Sequence, residues 1–223
     1  MSNLLVSIGL CCLMGAAMAW AADDKAVDKK ATDKKFSYID LQAKSNQKLK
    51  DSFHGSTEGN TLSEVPTGEQ TFEGVKFKIG EGMIQLGSQM VTDRPDKVEG
   101  IKVDKKFTRL HILHATGYST DDDTIIGEYT VNWEDGTSVT IPIVFGKDVR
   151  DWWYYEDTPD PTRGKVAWKG SNEYAKSLNA KIRLYLTTWE NTKPDKKVTS
   201  IDYSTTKETP CAPFCVAMSM EEK

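Results

Sequence analysis

Residues 124–145 contain the pattern that most strongly constrains the fold of this chain. Apolar and polar side chains alternate over residues 125–133, which places Ile125, Tyr129, Val131 and Trp133 on one face and Ile126, Glu128, Thr130 and Asn132 on the other. The Asp-Gly pair at 135–136 is a strong hairpin signal, and the alternation resumes over residues 139–145. The segment therefore predicts a β-hairpin with one buried face.

Similar short runs, rich in Val, Ile, Thr, Tyr and Trp and bounded by Gly, Asp, Asn or Pro, occur along most of the chain, at residues 72–79, 83–86, 98–103, 108–115, 165–168, 181–189, 198–203 and 214–220. About ten strands without a helical period indicate a sandwich or a barrel. We predict an all-β fold, a single antiparallel β-sandwich. The longest stretches between strands, 46–69 and 154–164, are where binding surfaces are expected.

Residues 1–21 are typical of a secretory signal peptide, because they are uncharged, mostly apolar and end in Ala-Trp-Ala. An uncleaved anchor is the alternative, but a spanning helix needs roughly 20 apolar residues and this stretch is shorter. A lipoprotein would use Cys11 or Cys12, whose preceding residues are a poor lipidation context. We expect cleavage near Ala21, a secreted or periplasmic protein and no stable membrane anchor afterwards.

Residues 22–35 read ADDKAVDKKATDKK, in which nine of fourteen side chains are charged. So polar a segment has little to bury, and it is expected to be a flexible, solvated tether. Residues 36–223 then form one β-sandwich domain. The net charge of -4 argues against nucleic acid as a partner, since phosphate binding needs concentrated Lys and Arg.

Cys211 and Cys215 are the two cysteines beyond the predicted signal. If residues 213–220 form a regular strand, their Cα atoms lie about 13 Å apart, which is too far for a disulfide. A turn at residues 212–213 would bring them together, and a disulfide therefore remains the alternative to two small buried apolar side chains. A metal site lacks further cysteine or histidine ligands nearby.

A series of motifs spans residues 36–220 in a characteristic order: 68–77 with 84–86, 110–115, 127–129 with 133–137, 141–143, 148–153, 166–168, 184–185, 188–191 with 194–195, 200–202 and 212–214. Together they resemble a group of secreted bacterial proteins whose modules are galactose-binding-like β-sandwiches (jelly rolls). The resemblance covers nearly the whole chain after the signal. It implies a jelly-roll fold and a carbohydrate-binding role, without implying an activity.

The run Arg150-Asp151-Trp152-Trp153-Tyr154-Tyr155 is the most unusual segment of the sequence. In an extended chain Trp152 and Tyr154 share one side and Trp153 and Tyr155 the other, so one pair lies under a loop or is exposed. Exposed rings stack on sugars while polar neighbours bind the hydroxyls, and packing beneath the 154–164 loop is the alternative. The predicted ligand-binding residues are Arg150, Asp151, Trp152, Trp153, Tyr155, Trp168, Asn172 and Tyr118.

Two further clusters invite a metal interpretation. Asp121, Asp122 and Asp123 form an acidic turn, a weak candidate for a structural calcium ion, although their spacing lacks the alternate-position pattern of a calcium loop. His111 and His114 lie three residues apart on a predicted strand, so their side chains point to opposite faces and cannot share an ion. No other cofactor is indicated.

Catalytic motifs are missing from the sequence: it contains no G-x-S-x-G elbow, no H-E-x-x-H and no phosphate-binding glycine loop. We therefore expect a non-catalytic, secreted β-sandwich that binds carbohydrate at a loop-borne aromatic cleft. The alternative is a structural or protein-interaction module of the cell envelope. A glycosidase acting through two unrecognised carboxylates is a third hypothesis, since such enzymes need only a suitably placed pair.

Overall fold

The computed structural model describes residues 34–54 and 58–223, and within these ranges the chain is almost entirely β-structure. The predicted signal peptide, 1–21, and residues 22–33 of the predicted tether lie outside the described residues. The described strands are β1 (Phe36–Ile39), β2 (Gln47–Lys48), β3 (Gly68–Phe72), β4 (Val75–Ile79), β5 (Gly82–Gln85), β6 (Lys97–Lys105), β7 (Arg109–Gly117), β8 (Ile125–Trp133), β9 (Ser138–Val144), β10 (Trp153–Tyr154), β11 (Lys165–Gly170), β12 (Lys181–Glu190), β13 (Val198–Thr205) and β14 (Ala212–Glu221).

Two antiparallel sheets dominate the described part of the chain. The larger sheet has the order β10-β12-β7-β14-β5-β2, with β1 paired to β14 and β11 paired to β12, and the smaller has the order β6-β13-β8-β9. Strands β3 and β4 form a separate hairpin. A 3-10 turn at Gln42–Lys44 and helix α1 (Glu173–Ser177), neither of which the sequence pattern predicts, complete the described elements. None of the described helices is long and apolar enough to cross a membrane.

The two sheets pack face to face through the side chains that alternation assigns to the buried face of β8. Tyr129, Val131 and Trp133 are buried, and the Tyr129 ring stacks on Tyr203 of β13 at 4.5 Å between centroids. Across the interface, Nδ1 of His114 on β7 lies 3.2 Å from the Tyr129 hydroxyl. The predicted all-β class and antiparallel β-sandwich are therefore confirmed.

The outer face of the larger sheet, turned away from the smaller sheet, is also covered. Phe53 packs edge-on against Phe214 of β14, and the hydroxyl of Ser219 donates a hydrogen bond of 2.6 Å to the carbonyl of Lys76 in β4. Leu62 and Val65 are buried here as well. Residues 49–54 and 58–65, which the sequence assigns to a surface loop, therefore form much of the covering layer of the outer face.

The predicted strand at residues 72–79 is interrupted by a turn. Phe72 pairs with Val75, and the two residues between them, Glu73 and Gly74, both have positive φ, 49° and 76°. Two-residue hairpins need positive φ at both central positions, which glycine adopts without strain. The segment is therefore the β3–β4 hairpin rather than one strand.

The start of β8 departs from the predicted alternation. Ile126 is 0% exposed and Ile125 is 51% exposed, the reverse of the predicted assignment. The pairing with β9 shifts between Ile125 and Gly127, so one extra residue is inserted in β8. Such a bulge reverses the direction of the side chains before it, and period-two counting through the bulge gives the wrong face.

This bulge can be tested with a pair of adjacent substitutions. Ile126→Ala is expected to lower the free energy of unfolding by about 2–5 kcal/mol, because it leaves a cavity between the sheets. Ile125→Ala is expected to change it by less than about 0.5 kcal/mol, as is usual for an exposed position. Denaturant unfolding of both variants is the measurement, and equal losses at the two positions would contradict the bulge.

Candidate functional site

The aromatic segment does not run as a regular strand through all four rings. Only Trp153 and Tyr154 form a strand, and the chain bends at Trp152. The bend places Trp152 and Trp153 on the same side, with their ring centroids 6.3 Å apart. The predicted pairing of Trp152 with Tyr154 is therefore wrong, because it assumes an extended backbone at residue 152.

Trp152 is enclosed in the core. It is 1% exposed, and its ring stacks on Phe53 at 4.8 Å and meets Phe214 edge-on at 6.0 Å. Such burial leaves no ring surface for a ligand. We therefore assign Trp152 to core packing, which the sequence leaves open as the alternative to ligand binding.

Trp153 and Asn172 both donate hydrogen bonds to the side chain of Asn60, next to helix α1. The indole Nε1 of Trp153 donates a hydrogen bond of 3.2 Å to Oδ1 of Asn60, and its half-buried ring lies 5.4 Å from the ring of Tyr174. Asn172 is buried, and its Oδ1 accepts the N–H of Ala175 at 2.7 Å, which caps the helix. Asn172 therefore serves the helix end, where such side chains are strongly preferred, and is no ligand-lining residue.

Tyr154 lies on the opposite face of the sheet and helps to hold a buried arginine. The guanidinium of Arg183 lies 4.8 Å from the Tyr154 ring centroid and 5.2 Å from that of Tyr185. It also donates a hydrogen bond of 2.9 Å to Asp160. This arrangement fixes the 154–164 loop on the sheet edge and leaves Tyr155, at 48% exposed, as its outward ring.

Asp151 lies at the end of the sandwich where β7 leads into residues 118 and 119. The hydroxyl of Ser119 lies 3.5 Å from Oδ2 of Asp151, and the N–H of Trp153 donates to Oδ1 at 3.1 Å. Desolvation raises the pKa of Asp151 to about 7. Desolvation also raises the pKa of Tyr118, with a smaller contribution from the negative charge of Asp151. Asp151 can therefore exchange a proton near neutral pH.

Arg150 and the acidic turn at residues 121–123 form ion pairs at this end of the sandwich. Arg150 donates two hydrogen bonds, of 2.9 and 2.7 Å, to the carboxylate of Asp122, and Lys147 pairs with Asp123 at 2.6 Å. Two of the three carboxylates of the calcium candidate Asp121–Asp122–Asp123 are therefore paired with cations. Within residues 34–54 and 58–223, no three acidic, histidine or cysteine side chains are grouped to hold a metal ion.

The two histidines of β7 point to opposite faces of the larger sheet, as predicted. His114 lies between the sheets, where its Nε2 is 2.8 Å from Thr187 Oγ1, and burial lowers its pKa to about 4. His111 lies on the outer face, with its Nδ1 2.8 Å from Thr188 Oγ1. They cannot share an ion, and both are held by threonine hydroxyls.

Cys211 and Cys215 are both buried and are not joined to each other. Cys215 lies within β14, whose extended backbone separates the two residues. Burial raises the pKa of each thiol to about 12. The structure thus favours two small buried side chains over the disulfide, and the high pKa values make both thiols poor nucleophiles.

Trp168 packs its ring against a glycine of the same strand. It lies half-buried on β11, and a Cβ added to Gly170 would collide with its Cζ2 and Cη2 atoms, so the indole lies across the glycine backbone. The exposed carboxylate of Glu64 is beside it, fixed by a 2.8 Å hydrogen bond from the N–H of Ser171. Sequence reasoning selected Trp168 but missed Glu64 and Gly170, although a glycine two residues after a tryptophan on one strand is a visible signal.

The cavities of the described chain do not coincide with the predicted aromatic cleft. One of about 660 Å³ lies beside β1, and one of about 300 Å³ lies on the outer face near His111 and Lys165. None of the residues Trp152, Trp153, Tyr154 and Tyr155 lines either of them. The candidate site is therefore an open surface centred on Trp168, with the smaller cavity next to it along β11.

This surface combines a fixed ring with a fixed carboxylate, the groups that stack on a sugar and accept hydrogen bonds from its hydroxyls. Register places Trp153 and Gly170 opposite the same residue, Ile182, on either side of β12. The aromatic surface can thus extend across three strands. Comparison with known proteins assigns no family, since no protein-family model matches the chain and no curated protein matches it significantly.

Proposed function

We propose that this protein is a non-catalytic, exported β-sandwich of the galactose-binding-like type that binds carbohydrate on the surface around Trp168. The observation that carries the proposal is the indole of Trp168 held across Gly170 beside the carboxylate of Glu64. The order of motifs along the chain, which resembles galactose-binding-like modules, supports it. Trp153, which lies across β12 from Gly170, extends this surface to a longer ligand.

The physical argument is one of preorganisation. A ring that is already fixed loses little conformational entropy when a sugar stacks on it, and the same is true of a carboxylate held by a backbone N–H. The Trp168 ring can lie against the strand because residue 170 is a glycine, which has no Cβ. Because the surface is open, each sugar residue contributes little, and weak binding that strengthens with oligosaccharide length is expected.

Trp168→Ala is expected to abolish binding on a glycan array while the protein stays folded. The matched control is Trp189→Ala, which removes another half-buried indole from the same sheet. Trp189 lies on β12, five residues beyond Leu184, and Leu184 is the residue that pairs with Trp168. Circular dichroism of both variants checks the fold. Loss of binding in both variants, or in neither, would count against a role for the Trp168 ring.

Gly170→Ala tests the geometry without removing the indole. The added methyl group would occupy the space of Cζ2 and Cη2 of Trp168, so the ring has to rotate away from the strand. We expect this variant to lose most of its affinity for the glycan that the wild type binds, measured by titration calorimetry. A wild-type array with no bound glycan would instead favour a structural or protein-interaction role.

A further inference from the structure

We propose that the cavity next to Trp168 on the outer face binds an anionic group, so that the recognised glycan is acidic and carries a carboxylate or a sulfate. The inference rests on the proposed function, since it names the chemical class of the glycan bound at the Trp168 surface. The cavity measures about 300 Å³. We call it the basic cavity, and its lining is Lys34, Glu73, Val75, Arg109, His111, Arg163, Lys165, Leu186 and Thr188.

Charge is the first argument. Four of the lining side chains are cationic and Glu73 alone is acidic, although the whole chain carries a net charge of -4. The carboxylates that pair with three of these cations, Asp148, Glu190 and Glu221, are not part of the lining. The wall that a ligand meets is therefore more basic than the surface around it, which favours an anion.

Arg163 supplies an anchored donor. Its Nε and Nη2 donate hydrogen bonds, both of 2.6 Å, to the two carboxylate oxygens of the buried Asp148. The guanidinium is planar and has five N–H groups, so an arginine held in this way presents its remaining donors in a fixed direction. Half of the side chain is exposed. It can therefore bind a ligand oxygen with little loss of entropy.

His111 supplies a buried polar atom that lacks a partner. Its side chain is only 4% exposed, and its Nδ1 is engaged by the Thr188 hydroxyl. Its Nε2 is buried without a hydrogen-bond partner, and the nearest carboxylate oxygen, on Glu221, is 3.6 Å away. Most buried nitrogens in folded proteins have a hydrogen-bond partner, so this atom of the cavity wall remains able to bind a ligand atom.

Lys165 links the basic cavity to the Trp168 surface. Both residues belong to β11, and they pair with Leu186 and Leu184, which share one face of β12. The register shift between Val166 and Trp168 is what brings Lys165 and Trp168 to the same face. Two residues along a strand correspond to about 7 Å. One oligosaccharide can therefore stack on Trp168 and place an anionic substituent in the cavity.

The test is a comparison of acidic and neutral glycans on a matched pair of variants. Lys165 is well exposed and lies 3.9 Å from Glu73, so Lys165→Gln removes one charge from the cavity without breaking a close pair. Lys169→Gln is the control, because Lys169 is on the same strand but lies over the Tyr154 ring on the other face. The probes are oligomers of galacturonate, 6-sulfated galactose and unmodified galactose.

We expect the wild type to prefer the acidic oligomers, and Lys165→Gln to weaken their binding about tenfold, as for one lost charged hydrogen bond, with Lys169→Gln unchanged. Whichever acidic oligomer binds more tightly identifies carboxylate or sulfate as the natural group. The imidazole signals of the three histidines give a second readout, because the acidic probe is expected to shift that of His111 alone.

Equal affinity for neutral and acidic oligomers, or equal effects of the two lysine variants, would overturn this inference and leave the Trp168 surface intact as a neutral sugar site. Absence of binding to every oligomer, with Trp168→Ala indistinguishable from the wild type, would overturn the proposed function itself. The two failures are therefore separate results of one set of titrations.

Discussion

Replacing Trp152 by alanine is expected to lower the free energy of unfolding by about 3–5 kcal/mol. The ring is 1% exposed and is enclosed by Phe53 and Phe214, one from the covering layer and one from the larger sheet. Its removal leaves a cavity at the point where these two layers meet. Because a domain of this kind is stable by only about 5–15 kcal/mol, the loss is a large fraction of the total.

Tyr155→Ala, in the same aromatic segment, is the matched comparison. Its ring is 48% exposed, so the expected loss of stability is below about 0.5 kcal/mol. Urea unfolding at one pH measures both variants, and glycan binding is measured on the same samples. If Trp152→Ala were as stable as Tyr155→Ala, the assignment of Trp152 to the core would be wrong.

Acidification is expected to destabilise the protein through its buried histidines. Burial lowers the pKa of both His114 and His54 to about 4, whereas an unfolded histidine titrates near its usual value of about 6.5. Between these values the unfolded state binds the proton and the folded state does not. Stability is therefore fully present above about pH 6.5 and is lost as the pH falls toward 4, by about 1.4 kcal/mol per pH unit for each histidine.

Asp151 affects the pH dependence of stability in the opposite direction to the histidines, over nearly the same pH range. Desolvation raises its pKa to about 7, so between about pH 4 and 7 the folded state holds a proton that the unfolded state has released. Its contribution to stability therefore decreases as the pH rises. Burial also lowers the pKa of His111, so three histidines are opposed by one carboxyl group, and stability is expected to be greater at higher pH.

Two variants separate these contributions. Asp151→Asn is expected to raise stability at pH 7.5 and to steepen the slope between pH 4.5 and 6.5, because it removes the contribution that opposes the histidines. His114→Gln, whose amide can still bond to Tyr129 and Thr187, is expected to flatten it. Unfolding free energies measured at several pH values give the slopes. A slope that neither variant changes would show that these groups do not control the acid response.

The strands were predictable because the chemistry of a half-buried sheet is local. Tyr129, Val131 and Trp133 each face the core and alternate with polar neighbours, and burial follows this alternation over residues 127–133 of β8. Ile125 and Ile126 were assigned to the wrong faces because a bulge depends on the pairing strand β9, which local alternation does not describe. The covering layer, residues 49–54 and 58–65, is stabilised by distant partners such as Phe214, and its local sequence therefore resembles that of a loop.

The site was predictable only where one segment contains the relevant residues. The sequence indicates Trp168 but not Gly170, although the two residues lie only two positions apart on β11. Glu64 reaches the same surface from a separate segment more than a hundred residues away. Trp152 and Tyr155 have equally aromatic neighbours, so only the fold distinguishes the buried ring from the exposed one. The basic cavity is assembled from still more distant elements, and no local pattern indicates it.

The most direct test of carbohydrate binding at Trp168 is an NMR titration of the indole N–H signals with an oligosaccharide panel. Five of the six tryptophans follow residue 21, and Trp168→Ala identifies the signal that matters. The account predicts that at least one oligosaccharide shifts the Trp168 signal strongly and leaves those of Trp152 and Trp189 in place. A panel in which no sugar moves the Trp168 signal, or in which bound sugar moves only other indoles, would contradict it.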